Sequence, residues 1–167
     1  MPNSENSRPE CYESHPEFGS LFAVCSLLNK HQVSYIICGA FACIHHGLVR
    51  TTQDVDILIS PDPDNCWRVI DALSELPDHA AAQLTVQDLL ENVVVKVADA
   101  VEVDISKSAW SVSYEEAIRN AEYVSLDGVR IPFLSLPDLI RSKETYRAKD
   151  RLDLISLKAL RERKGSR

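Results

Sequence analysis

An α/β domain is the fold class that the sequence predicts, and three patterns indicate it. Short runs of β-branched residues alternate along the chain with segments whose apolar residues recur at helical spacing. Asp127-Gly128 separates two of the β-branched runs and is typical of a hairpin turn. The chain has 167 residues, of which 45% are hydrophobic, and this is enough for one domain with one core.

The elements follow from these patterns in chain order. Helical apolar spacing, capping residues and prolines predict helices at residues 17–31, 40–46, 65–76, 85–91, 114–120, 137–146 and 150–163. Runs of β-branched and aromatic residues predict strands at residues 34–38, 55–60, 93–97, 101–105, 123–126 and 129–131. Gly39 ends the first strand, and Gly47 is well suited to the end of the short helix that follows it.

The domain organisation is predicted to be simple. Residues 1–16 are polar and lack the apolar centre of a secretory signal, so we expect a disordered lead-in. Residues 17–167 are expected to form one domain with a C-terminal helical part from about residue 136. No apolar run approaches the roughly 20 residues that span a bilayer. The five cysteines include no C-x-x-C pair, which favours a cytoplasmic protein with reduced thiols over a zinc or disulfide framework.

The net charge of −7 conceals an asymmetry along the chain. Residues 1–140 hold 8 Lys/Arg and 21 Asp/Glu, a net charge of −13, whereas residues 141–167 hold 10 and 4, a net charge of +6. An acidic body argues against broad nucleic-acid binding, but the basic C-terminal segment can face a polyphosphate or an RNA backbone. The alternative is a solvated helix face that balances the acidic body.

Two carboxylates, Asp54 and Asp56, stand two residues apart at the start of the second predicted strand. Successive strand residues point to opposite faces, so these two side chains share one face. Two unit charges about 4 Å apart repel by roughly 4 kcal/mol at an effective dielectric near 20. A divalent cation removes that repulsion, and oxygen ligands suit Mg²⁺. The pair therefore predicts a metal–nucleotide site, with a solvated strand end as the alternative.

The order of these motifs resembles the nucleotidyltransferase fold of the DNA polymerase β superfamily. The resemblance covers about residues 33–160 and rests on Cys38-Gly39-Ala40, Asp54-Val55-Asp56-Ile57 and Val103-Asp104-Ile105. It looks closest to a small bacterial branch that includes minimal nucleotidyltransferases and abortive-infection-type toxins, through Gly47-Leu48-Val49-Arg50-Thr51, Leu139-Ile140-Arg141-Ser142-Lys143 and Lys149-Asp150-Arg151-Leu152-Asp153-Leu154. It implies a mixed central sheet flanked by helices, with further helices at the C-terminus.

The resemblance also implies an activity and a metal site. It implies transfer of a nucleoside monophosphate from a nucleoside triphosphate such as ATP, with Mg²⁺ or Mn²⁺ held by Asp54, Asp56 and Asp104. Asp104 is also expected to accept the proton of the acceptor hydroxyl. Asp104 is the less specific assignment of the three, because Glu102 shares its face and Asp99 lies close by in the sequence.

Five further residues are expected to contact the nucleotide by this resemblance: Gly39, Ala40, Arg50, Thr51 and Lys143. Gly39 and Ala40 begin a helix, where backbone N–H groups bind phosphate. Ala40 stands where the wider superfamily usually has Gly or Ser, so a phosphate-binding hydroxyl is missing and a degenerate site is one alternative. The structural alternatives are a simple turn for Gly39, a salt bridge to nearby aspartates for Arg50 and a surface position for Lys143.

Other polar residues are expected to have structural roles. His45 and His46 are adjacent and cannot share a helix face, so we expect one to be packed and the other exposed rather than a joint metal site. Asp150 and Asp153 are expected to cap the last helix or to pair with the arginines beside them. The two tryptophans can stack a base, but a core or interface position is the usual outcome.

The sequence does not identify the acceptor of the transferred group. RNA (including tRNA), a protein hydroxyl and a small molecule are all compatible with the motifs, and a homodimer or a cognate regulatory partner, as in toxin–antitoxin pairs, is expected from the branch. A phosphotransferase that uses the γ-phosphate in the same pocket is one alternative activity. A non-catalytic subunit that binds a nucleotide or a partner is the other.

Overall fold

A computed structural model describes residues 18–166, and the predicted lead-in at residues 1–16 lies outside the described residues. The helices are α1 (Phe18–Lys30), α2 (Gly39–His45), α3 (Pro63–Leu73), α4 (Val86–Glu91), α5 (Tyr114–Ala117), α6 (Leu136–Ser142) and α7 (Ala148–Gly165), with a 3-10 turn at Ala80–Gln83. The strands are β1 (Tyr35–Ile37), β2 (Asp54–Ile59), β3 (Val94–Ala98), β4 (Glu102–Ser106), β5 (Ser108–Ala109), β6 (Val112–Ser113), β7 (Glu122–Leu126) and β8 (Val129–Phe133).

Six strands form one mixed sheet in the order β3-β4-β2-β1-β8-β7. Strand β2 pairs antiparallel with β1 and parallel with β4, and β1 pairs parallel with β8. Antiparallel hairpins complete both sides of the sheet. The predicted α/β class is confirmed, as is the expected mixed sheet with flanking and C-terminal helices.

The alternation of β2 orients the candidate site. Val55 and Ile57 are fully buried in the core, so Asp54 and Asp56 point to the opposite face. Burial of the apolar side chains fixes the register, because a shift by one residue would turn the carboxylates into the core. The hydrophobic core therefore determines which face carries the two aspartates.

The hairpin between β7 and β8 has the turn that the sequence predicts. Asp127 and Gly128 have φ values of 47° and 82°. Positive φ at both central residues is what a type I′ turn requires, and its twist matches that of the flanking strands. The prediction of this hairpin is confirmed.

The helix predicted at 137–146 is wrong in its second half, because α6 ends at Ser142 and α7 begins at Ala148. The intervening turn is held by side chains, since Thr145 Oγ1 donates to Asp150 Oδ2 at 2.5 Å and Lys143 Nζ donates to Asp150 Oδ1 at 3.3 Å. Helix α5 is likewise only one turn long. None of the helices described between residues 18 and 166 is long and apolar enough to cross a membrane.

Candidate active site

The pairing of β2 with β4 brings the predicted carboxylates together. The two strands are parallel, with Asp56 opposite Asp104 and Asp54 opposite Glu102. The side chains of Asp54 and Glu102 are 42% and 49% exposed, whereas that of Asp104 is 21% exposed. One face of the sheet therefore carries four carboxylates, and the inner pair is the more shielded from water.

Asp56 is the most perturbed acid of this group. Its burial is the largest cause and the neighbouring Asp104 carboxylate the second, and together they raise the pKa of Asp56 to about 6. Lys143 and the backbone N–H of Ala40 act in the opposite direction. The ionised form of Asp56 is thus unfavourable in free energy in the folded protein, and a bound cation would make it less so.

Lys96 on β3 partly neutralises the carboxylates and was not anticipated from the sequence. Its Nζ lies 3.2 Å from Asp104 Oδ1, 3.5 Å from Glu102 Oε2 and 4.0 Å from Asp54 Oδ2. The attraction of Asp104 is the main cause that raises the pKa of Lys96. A signal was available, because Lys96 is the single polar residue in the run of valines at residues 93–97.

The donor atoms of this group suit a hard divalent cation. Oδ1 of Asp104 is buried and makes no hydrogen bond of good geometry with the rest of the described chain. The exposed ammonium of Lys96 faces the carboxylates of Asp54, Glu102 and Asp104, and Asp56 lies beside Asp104 on the same face of the sheet. Carboxylate oxygens in excess of nearby positive charge are the ligands that Mg²⁺ and Mn²⁺ prefer, so the residues present fit such an ion.

Gly39 makes room for the Asp56 carboxylate. It has a φ of +61°, and a Cβ atom at this position would overlap Asp56 Oδ2 and lie 2.8 Å from Asp56 Cβ. The next residue, Ala40, directs its backbone N–H to the same carboxylate. The glycine is therefore needed for close approach to an acidic side chain as well as for the turn into α2.

A cleft of about 420 Å³ opens beside Asp56 and Asp104. Its lining also includes Gly39, Lys143 and two aromatic residues, Trp110 and Tyr146. The rings of Trp110 and Tyr146 meet edge to face with centroids 6.0 Å apart, although the residues are 53% and 80% exposed. Trp67 lies on the surface of α3 and does not line this cleft.

Lys143 stands at the wall of the cleft with its ammonium held by acids of α7. Its Nζ lies 3.0 Å from Asp153 Oδ2 and 3.3 Å from Asp150 Oδ1, and the residue is buried. Burial opposes the charge, but Cys43, Asp153 and Asp150 outweigh it and raise the pKa of Lys143. Lys143 is thus a fixed positive charge rather than a mobile surface lysine.

Arg50 and Thr51 line other depressions. Arg50 Nη1 donates to Asp153 Oδ2 at 2.6 Å, and Arg50 faces a groove of about 610 Å³ between residues 47–50 and α7. Thr51 shares a separate depression with Asp54. The structure therefore brings Asp56, Asp104, Gly39 and Lys143 to one cleft, with Ala40 bonded to Asp56 through its backbone N–H, whereas Asp54 lies beside this cleft on the same face of β2.

The expected pairs of the two α7 aspartates are found in part. Arg147 Nε donates to Asp150 Oδ2 at 2.6 Å, as predicted. Asp153, however, pairs with Arg50 and Lys143 rather than with the adjacent Arg151. The sequence-based expectation paired each aspartate with the arginines nearest to it along the chain. It missed the Asp153 contacts, because their partners are brought together only by the tertiary fold.

Comparisons with known proteins bear on the fold. No protein-family model matches the chain, and no curated protein matches it significantly. Among solved structures, the chain is similar to a crystal structure of a proposed nucleotidyltransferase from Thermotoga maritima, with a TM-score of 0.53 and 17% identity over 93% of this chain and 99% of the other. At that identity the similarity concerns the fold alone, so this chain has a nucleotidyltransferase-like fold.

Proposed function

We propose that this protein is a metal-dependent nucleotidyltransferase that transfers a nucleoside monophosphate from a nucleoside triphosphate to an acceptor. The observation that carries the proposal is the convergence of Asp54, Asp56 and Asp104 beside a cleft with an exposed aromatic pair. The carboxylates are in excess of nearby positive charge, and the aromatic rings offer a surface for a base. The similarity of fold supports the same class of reaction.

Asp54, Asp56 and Asp104 are the residues that would hold Mg²⁺ or Mn²⁺. When bound, such ions neutralise phosphate charge and orient the attacking and leaving oxygens. In this proposal the chain's own part is to hold the carboxylates close. Gly39 supports this by admitting the Asp56 side chain, and the β2–β4 register by setting Asp56 beside Asp104.

Other groups of the cleft are proposed to orient the nucleotide. Trp110 and Tyr146 would stack the base, since aromatic stacking contributes about 1–3 kcal/mol per base. Lys143 would face the phosphates as a positive charge that its own partners keep in position. The backbone N–H of Ala40 already points to Asp56, so the missing hydroxyl at position 40 removes a phosphate contact without disturbing the carboxylate.

Asp104 is proposed to accept the proton of the acceptor hydroxyl. Asp104 lines the cleft, so its carboxylate can meet a hydroxyl that enters there. The ammonium of Lys96 lies 3.2 Å from Asp104 Oδ1 and helps to hold the carboxylate in place. A base is useful here, because an attacking hydroxyl must lose its proton as the new bond forms.

The acceptor is proposed to approach along the groove beside α7. Lys149 lines both this groove and the cleft, and Arg163 lies farther along the same groove. Leu48, Val49 and Leu152 supply apolar surface in the same groove. A groove of this kind suits RNA, whose phosphates meet the cations while its bases meet the apolar side chains; a protein hydroxyl or a small molecule are the other acceptors to test.

The test is a transfer assay with each of four α-labelled nucleoside triphosphates, Mg²⁺ or Mn²⁺, and fractions of RNA, protein and small molecules as acceptors. We expect label to enter one fraction and pyrophosphate to be released in equal amount. Release of nucleoside diphosphate instead would identify transfer of the γ-phosphate. Absence of any transfer with every acceptor and metal would contradict the proposal.

The matched variants are Asp56→Asn and Asp64→Asn. Asp56→Asn keeps the side-chain shape and removes a proposed metal ligand, so we expect at least a hundredfold loss of transfer, on the order of 3 kcal/mol in activation free energy. Asp64 is an exposed acid of α3, and its amide variant should retain the wild-type rate. Equal rates for the two variants would overturn the metal assignment.

A further inference from the structure

A second group of potential ligands lies at the end of α2 that is remote from Gly39. It consists of His45, the last residue of α2, the following His46, and Glu122, the first residue of β7. One ligand atom from each of the three side chains lies within 4.8 Å of the others. These residues are separate from the carboxylate cleft and take no part in the proposed nucleotidyl transfer.

The expectation that one of the adjacent histidines is packed and the other exposed is wrong for His45, whose side chain is only 11% exposed beside the buried His46, because the end of β8 holds both rings. The His45 ring stacks on Phe133 with centroids 4.3 Å apart, and His46 Nε2 lies 2.8 Å from the carbonyl oxygen of Leu134. Two consecutive positions of the chain, 133 and 134, thus orient two consecutive histidines. The imidazole rings meet edge to face at 4.8 Å.

The environment of His46 selects one tautomer. A carbonyl oxygen only accepts hydrogen bonds, so Nε2 of His46 carries the hydrogen that it donates to Leu134, and Nδ1 is left with a lone pair. His46 is 4% exposed, and within residues 18–166 its Nδ1 has no hydrogen-bond partner. A buried acceptor without a partner is unfavourable, and a histidine whose other N–H binds a carbonyl is typical of metal ligands.

His45 and Glu122 already stand at nearly the spacing of two ligands. His45 Nε2 lies 3.1 Å from Glu122 Oε2. Ligands about 2.1 Å from a tetrahedral ion are about 3.4 Å from each other. The ligand atoms of the three residues lie within 4.8 Å of one another, so the longest separation must shorten by little more than about 1 Å. Burial lowers the pKa of both histidines, which leaves both rings uncharged at neutral pH.

We infer that His45, His46 and Glu122 form a binding site for a transition-metal ion of the Zn²⁺ class, through two imidazole nitrogens and one carboxylate oxygen. This donor set suits Zn²⁺, Co²⁺ or Ni²⁺ rather than Mg²⁺, which prefers oxygen ligands alone. Binding requires the neutral His45 ring to present a nitrogen lone pair to the ion, with its hydrogen on the other nitrogen, and it joins the end of α2 to β7. The charge of Lys164 on α7 acts on both histidines and moderates the affinity.

The test uses the full-length protein after removal of metal, titrated with Co²⁺ and with Zn²⁺ in the presence of millimolar Mg²⁺. We expect one Co²⁺ per chain with the visible absorption bands of a tetrahedral complex, displacement of Co²⁺ by Zn²⁺, and a higher melting temperature with Zn²⁺. Absence of a one-to-one complex under these conditions would overturn the inference.

The variants separate this site from other ligands of the chain. Glu122→Gln and His45→Gln change partly exposed side chains and are expected to weaken Zn²⁺ binding at least tenfold each while the fold is retained. His31→Gln is the matched control, because His31 also contacts acids but its two nitrogens bind Asp71 and Glu75 separately. Zn²⁺ affinity that falls equally in His31→Gln, or not at all in Glu122→Gln, contradicts the assignment.

Asp56→Asn provides the second control. It alters the carboxylate cleft and is expected to leave Co²⁺ absorption and Zn²⁺ affinity unchanged. Loss of Zn²⁺ binding in this variant would assign the ion to the cleft and reject the histidine site. The result is independent of whether the protein transfers nucleotides.

Discussion

Two regions of this molecule concentrate charge, and they do so in opposite ways. The first is the acidic cleft, where Asp56 lies beside Asp104, and the ammonium of Lys96 faces Asp54, Glu102 and Asp104. The second is the ionic cluster of α6 and α7, where Lys143, Arg50 and Arg147 meet Asp150 and Asp153. The first has an excess of negative charge and is open to water, whereas the second is nearly balanced and largely buried.

The difference indicates what each region is for. Asp150 is fully buried and accepts hydrogen bonds from Thr145, Lys143 and Arg147, so nearly every charge has its partner within the fold. At Asp56, by contrast, burial and the acidic neighbours outweigh the backbone N–H of Ala40 and the charge of Lys143. A satisfied buried cluster holds elements together, while an unsatisfied group of like charges is an arrangement that a ligand completes.

The largest expected effect comes from breaking the balanced cluster. Asp150→Ala leaves Lys143 without one of its two carboxylates and leaves Thr145 and Arg147 without an acceptor. We expect a loss of about 3–5 kcal/mol in the free energy of unfolding, as is typical for one partner of a buried ion pair. Urea unfolding measures this loss. If Asp150→Ala does not fold, Asp150→Asn removes the same charge while keeping the side-chain shape and should lower the free energy of unfolding by less. A loss below about 1 kcal/mol would show that the cluster does not stabilise the fold.

Ionisation of Asp56 in the acidic cleft is expected to lower the free energy of unfolding as the pH rises. The pKa of Asp56 is raised from 3.8 to about 6, so between these values the folded protein holds a proton that the unfolded chain has released. The free energy of unfolding should therefore fall as pH rises from about 4 to 6, by up to about 3 kcal/mol at about 1.4 kcal/mol per pKa unit. Asp56→Asn should remove this dependence and be the more stable protein at pH 7 without metal. Chemical unfolding in EDTA across this range measures both, and a flat wild-type profile would contradict the prediction.

Asp150 has the reverse dependence, which sharpens the comparison. Burial raises its pKa, but Thr145, Lys143 and Arg147 outweigh that and hold the pKa below its usual 3.8. Its contribution to stability is complete above pH 3.8 and is lost as pH falls through its folded pKa. The Asp56 effect lies at higher pH, so the two regions are separable in one titration.

Gly39→Ala should have an intermediate effect. A residue with a side chain at φ +61° costs about 1–2 kcal/mol, and the new Cβ would also displace the Asp56 carboxylate. We expect a loss of about 2 kcal/mol in stability. In the Asp56→Gly background the steric part of the cost should vanish, since both the carboxylate and its Cβ are gone. A double-mutant cycle measures this coupling, and additive effects would mean that Gly39 is needed for the turn alone.

The smallest effect is expected at Lys96. The side chain is half exposed, so Lys96→Gln should lower stability only slightly, and the difference should disappear in high salt because exposed charges are screened. The same variant is expected to bind Mn²⁺ more tightly, since it removes a cation from beside Asp104. Weaker Mn²⁺ binding would instead show that Lys96 helps to position the carboxylates.

The sequence by itself determined the local features of this protein. Alternation along β2 and β4 predicted that Asp54 and Asp56 share a face, and Asp127-Gly128 predicted the β7–β8 hairpin. These features depend on neighbouring residues, whose periodicity and turn chemistry act over a few positions. The resemblance of motif order then predicted the mixed sheet.

Only the tertiary structure decided which distant charges meet. The ammonium of Lys96 lies among the carboxylates because β3 is the neighbour of β4, and Asp153 binds Arg50, 103 positions away, because α7 lies beside the loop that follows α2. The close approach of His45, His46 and Glu122 likewise depends on the end of β8. Such contacts are set by how elements pack in space, because long-range electrostatic pairs leave no periodic signal in the sequence around them.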